Sequence, residues 1–329
     1  MQIAFFFRKP SPDYHSIEKL FFSVMEHLPE GSFKKHTAPF ASKGLWKRIL
    51  IGLNARKLQS DINHITGDIH FIAMFLKKKK TILTIHDIGH IKKGNIIKRK
   101  VLKYFWFTLP IKCVKLVTVI SEFTKQELVE YIKIKEDKIV VINNCIPDIY
   151  KFNSFNFIAQ KPVILQIGTK SNKNLERLVV AIEGLDCKLI IVGKLSENQL
   201  KLLYESKIDF KNHFNIPENE MLQLFINCNL LAYVSTYEGF GMPLIEANAV
   251  GRPVLASDIE PIKSVAADAA LLVNPYNTGE IKEGINKLLN DKDLCQRLIE
   301  SGLKNAAKYT AESVSKQYLA VYQKMMAEK

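Results

Sequence analysis

Three observations place this 329-residue chain among α/β proteins built from two doubly wound domains with a cleft between them. Short apolar runs alternate with helical stretches along the whole chain, and the alternation restarts after an irregular segment near residue 155. Strand and helix in strict alternation imply crossovers that keep the strands parallel. The length also exceeds the roughly 100–200 residues typical of one domain.

In the first half, residues 3–7, 69–73, 81–85 and 116–120 read as strands, and residues 121–131 as a helix capped by Ser121. The stretch YKFNSFNFIAQK, residues 150–161, is rich in asparagine and aromatic residues and keeps no period. It marks a linker over 153–161 between a domain of residues 1–152 and one of residues 162–311. The second half repeats the pattern more cleanly, with strands at 163–167, 189–192, 230–234 and 253–256. Residues 312–326 space their apolar side chains as a helix does, and segment 312–329 is expected to pack back on the first domain. Ligands of doubly wound sheets sit beyond the carboxyl ends of the strands, so chemistry is sought in the loops after Ile167, Val192 and Val234.

Hydrophobic residues make up 47% and charged residues 24% of the chain, the balance of a globular protein with a sizeable core. Five cysteines, Cys113, Cys145, Cys187, Cys228 and Cys295, are scattered and never spaced as C-x-x-C, so they read as buried thiols of a reducing compartment. Arg8, Lys9 and Pro10 break the first apolar run, and no apolar stretch approaches the roughly 20 residues of a membrane span. A cytoplasmic protein, peripheral at the inner face of the membrane, is the expectation.

The net charge of +14 is uneven: residues 1–150 hold 26 Lys and Arg against 13 Asp and Glu, and residues 151–329 hold 21 against 20. Such asymmetry gives the first half an anionic partner, either a membrane surface, a phosphorylated acceptor or nucleic acid. No recognised nucleic-acid motif accompanies it, so nucleic acid is not expected as a partner. Basic runs at 77–80, 92–93 and 98–103 around the aromatic residues 104–107 suit an anionic bilayer interface instead.

The segment STYEGFGMPLIEANAVG, residues 235–251, leaves a strand, turns through Gly239 and Gly241, and enters a helix with Pro243 near its first position. At such a helix start the N–H groups of Gly241, Met242 and Leu244 are expected to face a phosphate or sugar oxygens. Glu238 and Glu246, with Gly239 and Phe240 beside the first, can accept hydrogen bonds from sugar hydroxyls. The loop IGTKSNKNL, residues 167–175, sets Gly168, Thr169, Lys170, Lys173 and Asn174 before a helix, where two lysines can neutralise a diphosphate. Lys194, after Gly193 at the next strand end, borders the nucleotide.

In the first half, TILTIHDIGH places His86 and Asp87 at a strand end, where the histidine can donate to a sugar oxygen or orient an acceptor. RKPSPDYHSIE, residues 8–18, offers Arg8, His15 and Ser16 to line an acceptor site. No Asp-x-Asp follows a buried strand, and Asp291 and Asp293 read as a helix cap and a solvated charge. With no metal ligand set spelled out, lysines and helix ends must carry the charge of a leaving diphosphate.

Residues 235–251 strongly resemble the Glu-x7-Glu signature of retaining glycosyltransferases with the GT-B fold, the large family numbered four. The resemblance implies that Glu246 holds the nucleotide ribose and that Glu238 lies beside the donor sugar. Loop 167–175 is similar to the family's glycine-then-basic loop, although the usual arginine is absent here, and His86-Asp87 is similar to its strand-His-Asp element facing the donor sugar. The loop at residues 8–18 lacks the family's usual glycines.

By this resemblance the fold is GT-B, two Rossmann-like domains facing a cleft, with a nucleotide sugar on the second and a glycan or lipid-linked acceptor on the first. The implied reaction is transfer of a hexose-type sugar with retention of configuration, without a metal or other cofactor, in polysaccharide or lipopolysaccharide synthesis. Glu238, His86 and Lys173 are the implied catalytic residues. The rivals are a sugar-nucleotide epimerase of the same architecture, which needs acid–base groups around the sugar C2 that are not evident here, and a basic nucleic-acid-binding protein.

Overall fold

The computed structural model describes residues 1–10, 16–89, 95–154 and 161–328. His15, Lys92, Lys93 and residues 155–160 of the expected linker therefore lie outside the described residues. The chain forms two compact units, Met1–Cys145 together with Ala311–Lys329, and Ile146–Thr310.

The first unit is built on β1 (Ile3–Phe7), β2 (Phe33–Thr37), β3 (Ile62–Ile65), β4 (Thr81–Ile85), β5 (Leu116–Val119) and β6 (Ile139–Val141). All pair in parallel in the order β2-β1-β3-β4-β5-β6. Every side chain of β1, β3 and β4 is buried, which is why these strands read as continuous apolar runs and not as alternation. Helices α1 (Ser16–Glu26), α2 (Leu45–Lys57), α3 (Ile96–Leu102), α4 (Leu109–Lys112) and α5 (Glu122–Glu127) lie between the strands. Ser121 caps α5 as expected, accepting a hydrogen bond from the Thr124 amide at 3.1 Å.

One strand expectation fails. Residues 69–73 do not form a strand; they enter a 3-10 helix over His70–Phe75, and the strand is the preceding β3. Gly67 (φ 141°) and Asp68 (φ 56°) turn the chain between the two. Residues 69–73 are at most 5% exposed, and a run buried on every side has no period to separate strand from helix.

The second unit holds β7 (Val163–Ile167), β8 (Lys188–Val192), β9 (Asp209–His213), β10 (Leu230–Tyr233), β11 (Val254–Ser257) and β12 (Leu271–Val273), parallel in the order β12-β11-β10-β7-β8-β9. Its helices are α6 (Leu175–Ile182), α7 (Glu197–Glu205), α8 (Glu218–Asn227), α9 (Met242–Val250), α10 (Ile262–Ala266), α11 (Thr278–Asn290) and α12 (Lys292–Ala306). Asp291 caps α12 through the Leu294 amide at 2.8 Å, the role expected of it. The direction of strand succession reverses between β7 and β10, and such a reversal opens a crevice at the carboxyl ends of the two strands.

The passage from one unit to the other falls at Cys145–Ile146, ahead of the linker expected at 153–161. Residues 146–154 are tied to the second unit by interactions that leave no periodic trace. The Ile146 amide donates to the Tyr309 carbonyl at 2.8 Å, the Asn153 amide donates to the Val250 carbonyl at 3.2 Å, and the Tyr150 ring meets Phe225 edge-on at 5.7 Å. The last helix, α13 (Ala311–Ala327), belongs to the first unit, where Tyr318 and Tyr322 are fully buried. There His64 bridges the Tyr322 hydroxyl at 2.6 Å and the Thr84 hydroxyl at 2.7 Å. Burial, and secondarily His86, push the His64 imidazole down to about 3.

Candidate functional site

The crevice between β7 and β10 is lined by the two loops singled out from the sequence. After β7 the chain turns at Gly168 (φ 93°), makes one 3-10 turn over Ser171–Lys173, and enters α6 through Asn174. Asn174 is left-handed (φ 61°), a conformation asparagine tolerates better than most residues. Its side-chain amide donates to the Val234 carbonyl at 2.9 Å and the Pro275 carbonyl at 2.7 Å. Asn172 donates to the Tyr237 carbonyl at 2.9 Å, and the Thr236 amide returns a bond to the Asn172 carbonyl at 2.8 Å. These bonds fix the loop after β7 against the loop after β10.

The stitched loops bring Lys173 and Glu238 together although 65 residues separate them: Lys173 Nζ donates to Glu238 Oε1 at 2.6 Å. The two side chains are 19% and 14% exposed, so the pair is partly withdrawn from water but still open to a ligand. Gly168 is required here, because a Cβ on it would stand 2.7 Å from Lys173 Cγ. The ammonium also lies 5.2 Å from the centroid of the Tyr233 ring.

Tyr233 is 2% exposed, and its hydroxyl oxygen is buried near Glu238 without closing a hydrogen bond of standard geometry. Burial, then the Glu238 and Glu246 carboxylates, hold this phenol protonated well above its ordinary range. Glu246, half-buried on α9, likewise acts on Tyr150, whose phenol is raised by burial first and then by Glu246 and Glu218. Tyr150 Oη donates to Glu218 Oε1 at 2.7 Å. The site is thus a group of carboxylates in which Lys173 holds Glu238 and the Tyr150 phenol holds Glu218, with the buried Tyr233 phenol beside them.

Two details of the helix start differ from expectation. Gly241 (φ 137°) precedes α9 and offers no side chain to cap it, but the Leu244 amide, expected to face a ligand, donates back to the Gly241 carbonyl at 3.0 Å. The Phe240 side chain, expected at the donor, is 3% exposed and packs edge-on against Tyr309 at 5.5 Å. Gly239, Met242 and Pro243 remain half-buried at the loop and first turn.

Along the rim, Thr169 Oγ1 donates to the Lys194 carbonyl at 2.6 Å, and Gln199 donates to the Thr169 carbonyl at 2.8 Å. The backbone of Lys194 therefore holds the loop, while its side chain and that of Lys170 are exposed.

The residues expected on the acceptor side lie in the first unit. Arg8 grips Glu18 through Nε at 2.8 Å and Nη2 at 3.0 Å, and pairs with Asp68 through Nη1. Burial works against this charge, but the Glu18 and Asp68 carboxylates outweigh it and raise the guanidinium above its ordinary value. Arg8 is thereby a clamp between β1, α1 and the turn after β3, not a group pointing freely at an acceptor. Ser16 opens α1. Asp87 Oδ1 accepts from the Gly89 amide at 2.8 Å and so shapes its own turn.

His86 Nε2 donates to the Thr66 carbonyl at 2.8 Å. Burial keeps the imidazole below its ordinary value, with the Thr66 carbonyl, Asp68 and Asp87 pulling the other way. A neutral ring whose Nε2 carries the proton presents Nδ1 as an acceptor, so His86 can take a hydrogen bond from a hydroxyl where the sequence suggested donation.

Sequence reasoning missed Tyr233, Tyr150, Asn172, Gln199 and Glu218. Of these only Tyr233 carried a signal: it ends a strand five residues before Glu238, and an aromatic hydroxyl in that place needs a polar neighbour.

Two family models match the chain in succession, Glycosyltransferase Family 4 over residues 15–148 and Glycosyl transferases group 1 over residues 150–305. The chain is 24% identical over 276 residues to O-antigen chain mannosyltransferase B of Escherichia coli, covering 74% of this chain and 70% of that one. It is 29% identical over 263 residues to the O-antigen chain mannosyltransferase RfbU of Salmonella typhimurium, covering 76% and 70%. Among solved structures it is similar to Anabaena Alr3699/HepE in complex with UDP and glucose, with a TM-score of 0.81 at 15% identity over 98% of this chain and all of that one.

Proposed function

Since this chain belongs to the group 1, family four glycosyltransferases of the GT-B fold, we propose that it moves a hexose-type sugar from a nucleotide sugar held by its second unit to a glycan or lipid-linked acceptor. The product is a cell-envelope or extracellular polysaccharide, the class to which both O-antigen relatives contribute. The observation that carries the reading is the Lys173–Glu238 pair at the β7/β10 reversal, with Glu246 one turn into the adjoining helix. Lys173, Lys170 and the start of α9 face the diphosphate and stabilise the charge of the leaving group, a role that in other transferases falls to a metal ion. Glu238 accepts from a hydroxyl of the transferred sugar and Glu246 from the ribose. On the first unit, His86 Nδ1 is placed to accept a hydrogen bond from a hydroxyl group.

The transfer retains anomeric configuration by front-face attack, with the departing phosphate receiving the acceptor's proton. The acceptor side belongs to a protein working at the inner membrane face. No helix among the described residues is long and apolar enough to cross a membrane.

A panel of nucleotide sugars tests this directly, with donor hydrolysis and transfer measured with and without EDTA and the product anomer read by NMR. Turnover of at least one donor, unaffected by chelator and giving a retained anomer, is expected. Turnover restored only by Mg²⁺ or Mn²⁺ overturns the charge assignment. Epimerisation of the donor without transfer overturns the function.

A further inference from the structure

Helix α2 buries little of its apolar content. Ile51, Gly52 and Ala55 form its inner face, and a Cβ on Gly52 would collide with the Phe75 ring, so glycine seats the helix closely on that side. On the outer side Leu45 is 72% exposed, Trp46 79%, Leu50 51% and Leu53 44%. At helical spacing these four occupy one arc. Trp46 is the most exposed large apolar side chain among the described residues.

The charge around this arc has one sign. Residues 31–60 contain seven Lys and Arg and no Asp or Glu. Lys47, Arg56 and Lys57 on α2 itself are exposed. The Arg48 guanidinium lies 5.0 Å over the Trp106 ring, which joins α2 to the aromatic stretch 104–107. That stretch was expected to meet a bilayer as a whole, but Phe107 is 1% exposed and belongs to the core; only Tyr104 and Phe105, at 48% and 56%, face outward. Apolar side chains standing out of a helix, ringed by cations and free of carboxylates, fit a surface that is apolar below and anionic above.

We infer that α2 is an interfacial helix that seats the first unit on an anionic lipid bilayer, with Trp46, Leu45, Leu50 and Leu53 entering the acyl boundary and Lys47, Arg56 and Lys57 at the headgroups. The inference deepens the reading of the acceptor as lipid-linked and rests on it for its purpose, while the binding itself is independent of donor chemistry. Each basic residue near such a surface strengthens binding about fivefold, so three on the helix and others beside it suffice for reversible attachment without a spanning segment.

The chain has two tryptophans, so Trp106→Phe leaves Trp46 as the only indole. Added to mixed phosphatidylglycerol and phosphatidylcholine vesicles, this protein should show a blue shift of Trp46 emission that phosphatidylcholine alone does not produce and that salt reverses. Leu50→Ser with Leu53→Ser should weaken sedimentation with the same vesicles at least ~10-fold. That variant should keep wild-type circular dichroism and wild-type hydrolysis of a soluble donor, so a failure of donor chemistry is read apart from a failure of attachment. No blue shift, an equal shift with neutral vesicles, or unchanged sedimentation of the double variant overturns the proposal. So does a blue shift that grows with protein concentration without lipid, since the occupant of the face is then a second copy of the chain.

Discussion

Lowering the pH from 7.5 to 5.5 should cost the first unit stability through His64, whose ring is fully buried between Tyr322 and Thr84. Its folded-state value of about 3 lies below the ordinary 6.5, so the stabilisation from keeping it neutral is complete above 6.5 and is lost as pH falls from there toward 3. At pH 5.5 the unfolded chain gains a proton at this position that the folded chain refuses, a difference of ~1.4 kcal/mol relative to pH 7.5. For a unit of this size the loss corresponds to roughly 3–6 °C in Tm. The assay is thermal unfolding of the wild type and of His64→Asn at both pH values. Asparagine cannot titrate but can still bond a hydroxyl, so the variant starts less stable yet should lose about 1.4 kcal/mol less on acidification. His70 and His86, also pushed down by burial, are present in both proteins and cancel in the comparison. Equal losses in the two proteins would refute the assignment of the acid sensitivity to His64.

Three further outcomes concern the site. Glu246→Ala should raise the donor KM at least ~10-fold with a smaller effect on kcat, as expected for a contact made equally in ground and transition states; near-normal kinetics in a folded variant would remove Glu246 from the site. Glu238→Ala and Lys173→Met should each lower kcat by ~10²–10³, and their double variant should lose less than the product of the two, since they act as a pair; full additivity of the two effects counts against that coupling. Tyr233→Phe should leave the ligand-free Tm unchanged or raise it, because its buried hydroxyl closes no hydrogen bond of standard geometry with the neighbouring Glu238; a fall equivalent to ~1 kcal/mol or more would mean that this contact is a full hydrogen bond.

The legibility of the site followed from topology. Lys173 and Glu238 lie just beyond strands that become neighbours at the reversal of strand order, and each loop is marked by glycine, Gly168 ahead of polar residues in the first and Gly239 and Gly241 ahead of a helix start in the second. What could not be read were the features set by packing across distant segments. Arg8 looks from its loop like a ligand-facing cation, and only the approach of Glu18 and Asp68 turns it into a clamp. Residues 69–73 look like a strand because both strand and buried helix demand the same apolar run. The outward face of α2 depends on the fit of Gly52 against Phe75, which no local pattern encodes. Tyr104–Phe107 reads as one aromatic patch, yet a helical turn divides it between core and surface.

The first unit is discontinuous, and α13 arrives only after the whole of the second unit has been made. On a ribosome adding ~5–20 residues per second, the stretch between Cys145 and the end of α13 takes roughly 10–40 s to appear. The second unit completes its sheet at Val273 within that stretch, whereas the first still stands with Phe21 and His64 uncovered where Tyr318 and Tyr322 will later pack. The nascent chain therefore passes through an interval in which its first-made half is the last to close, and that half is the one a holding chaperone would be expected to grip.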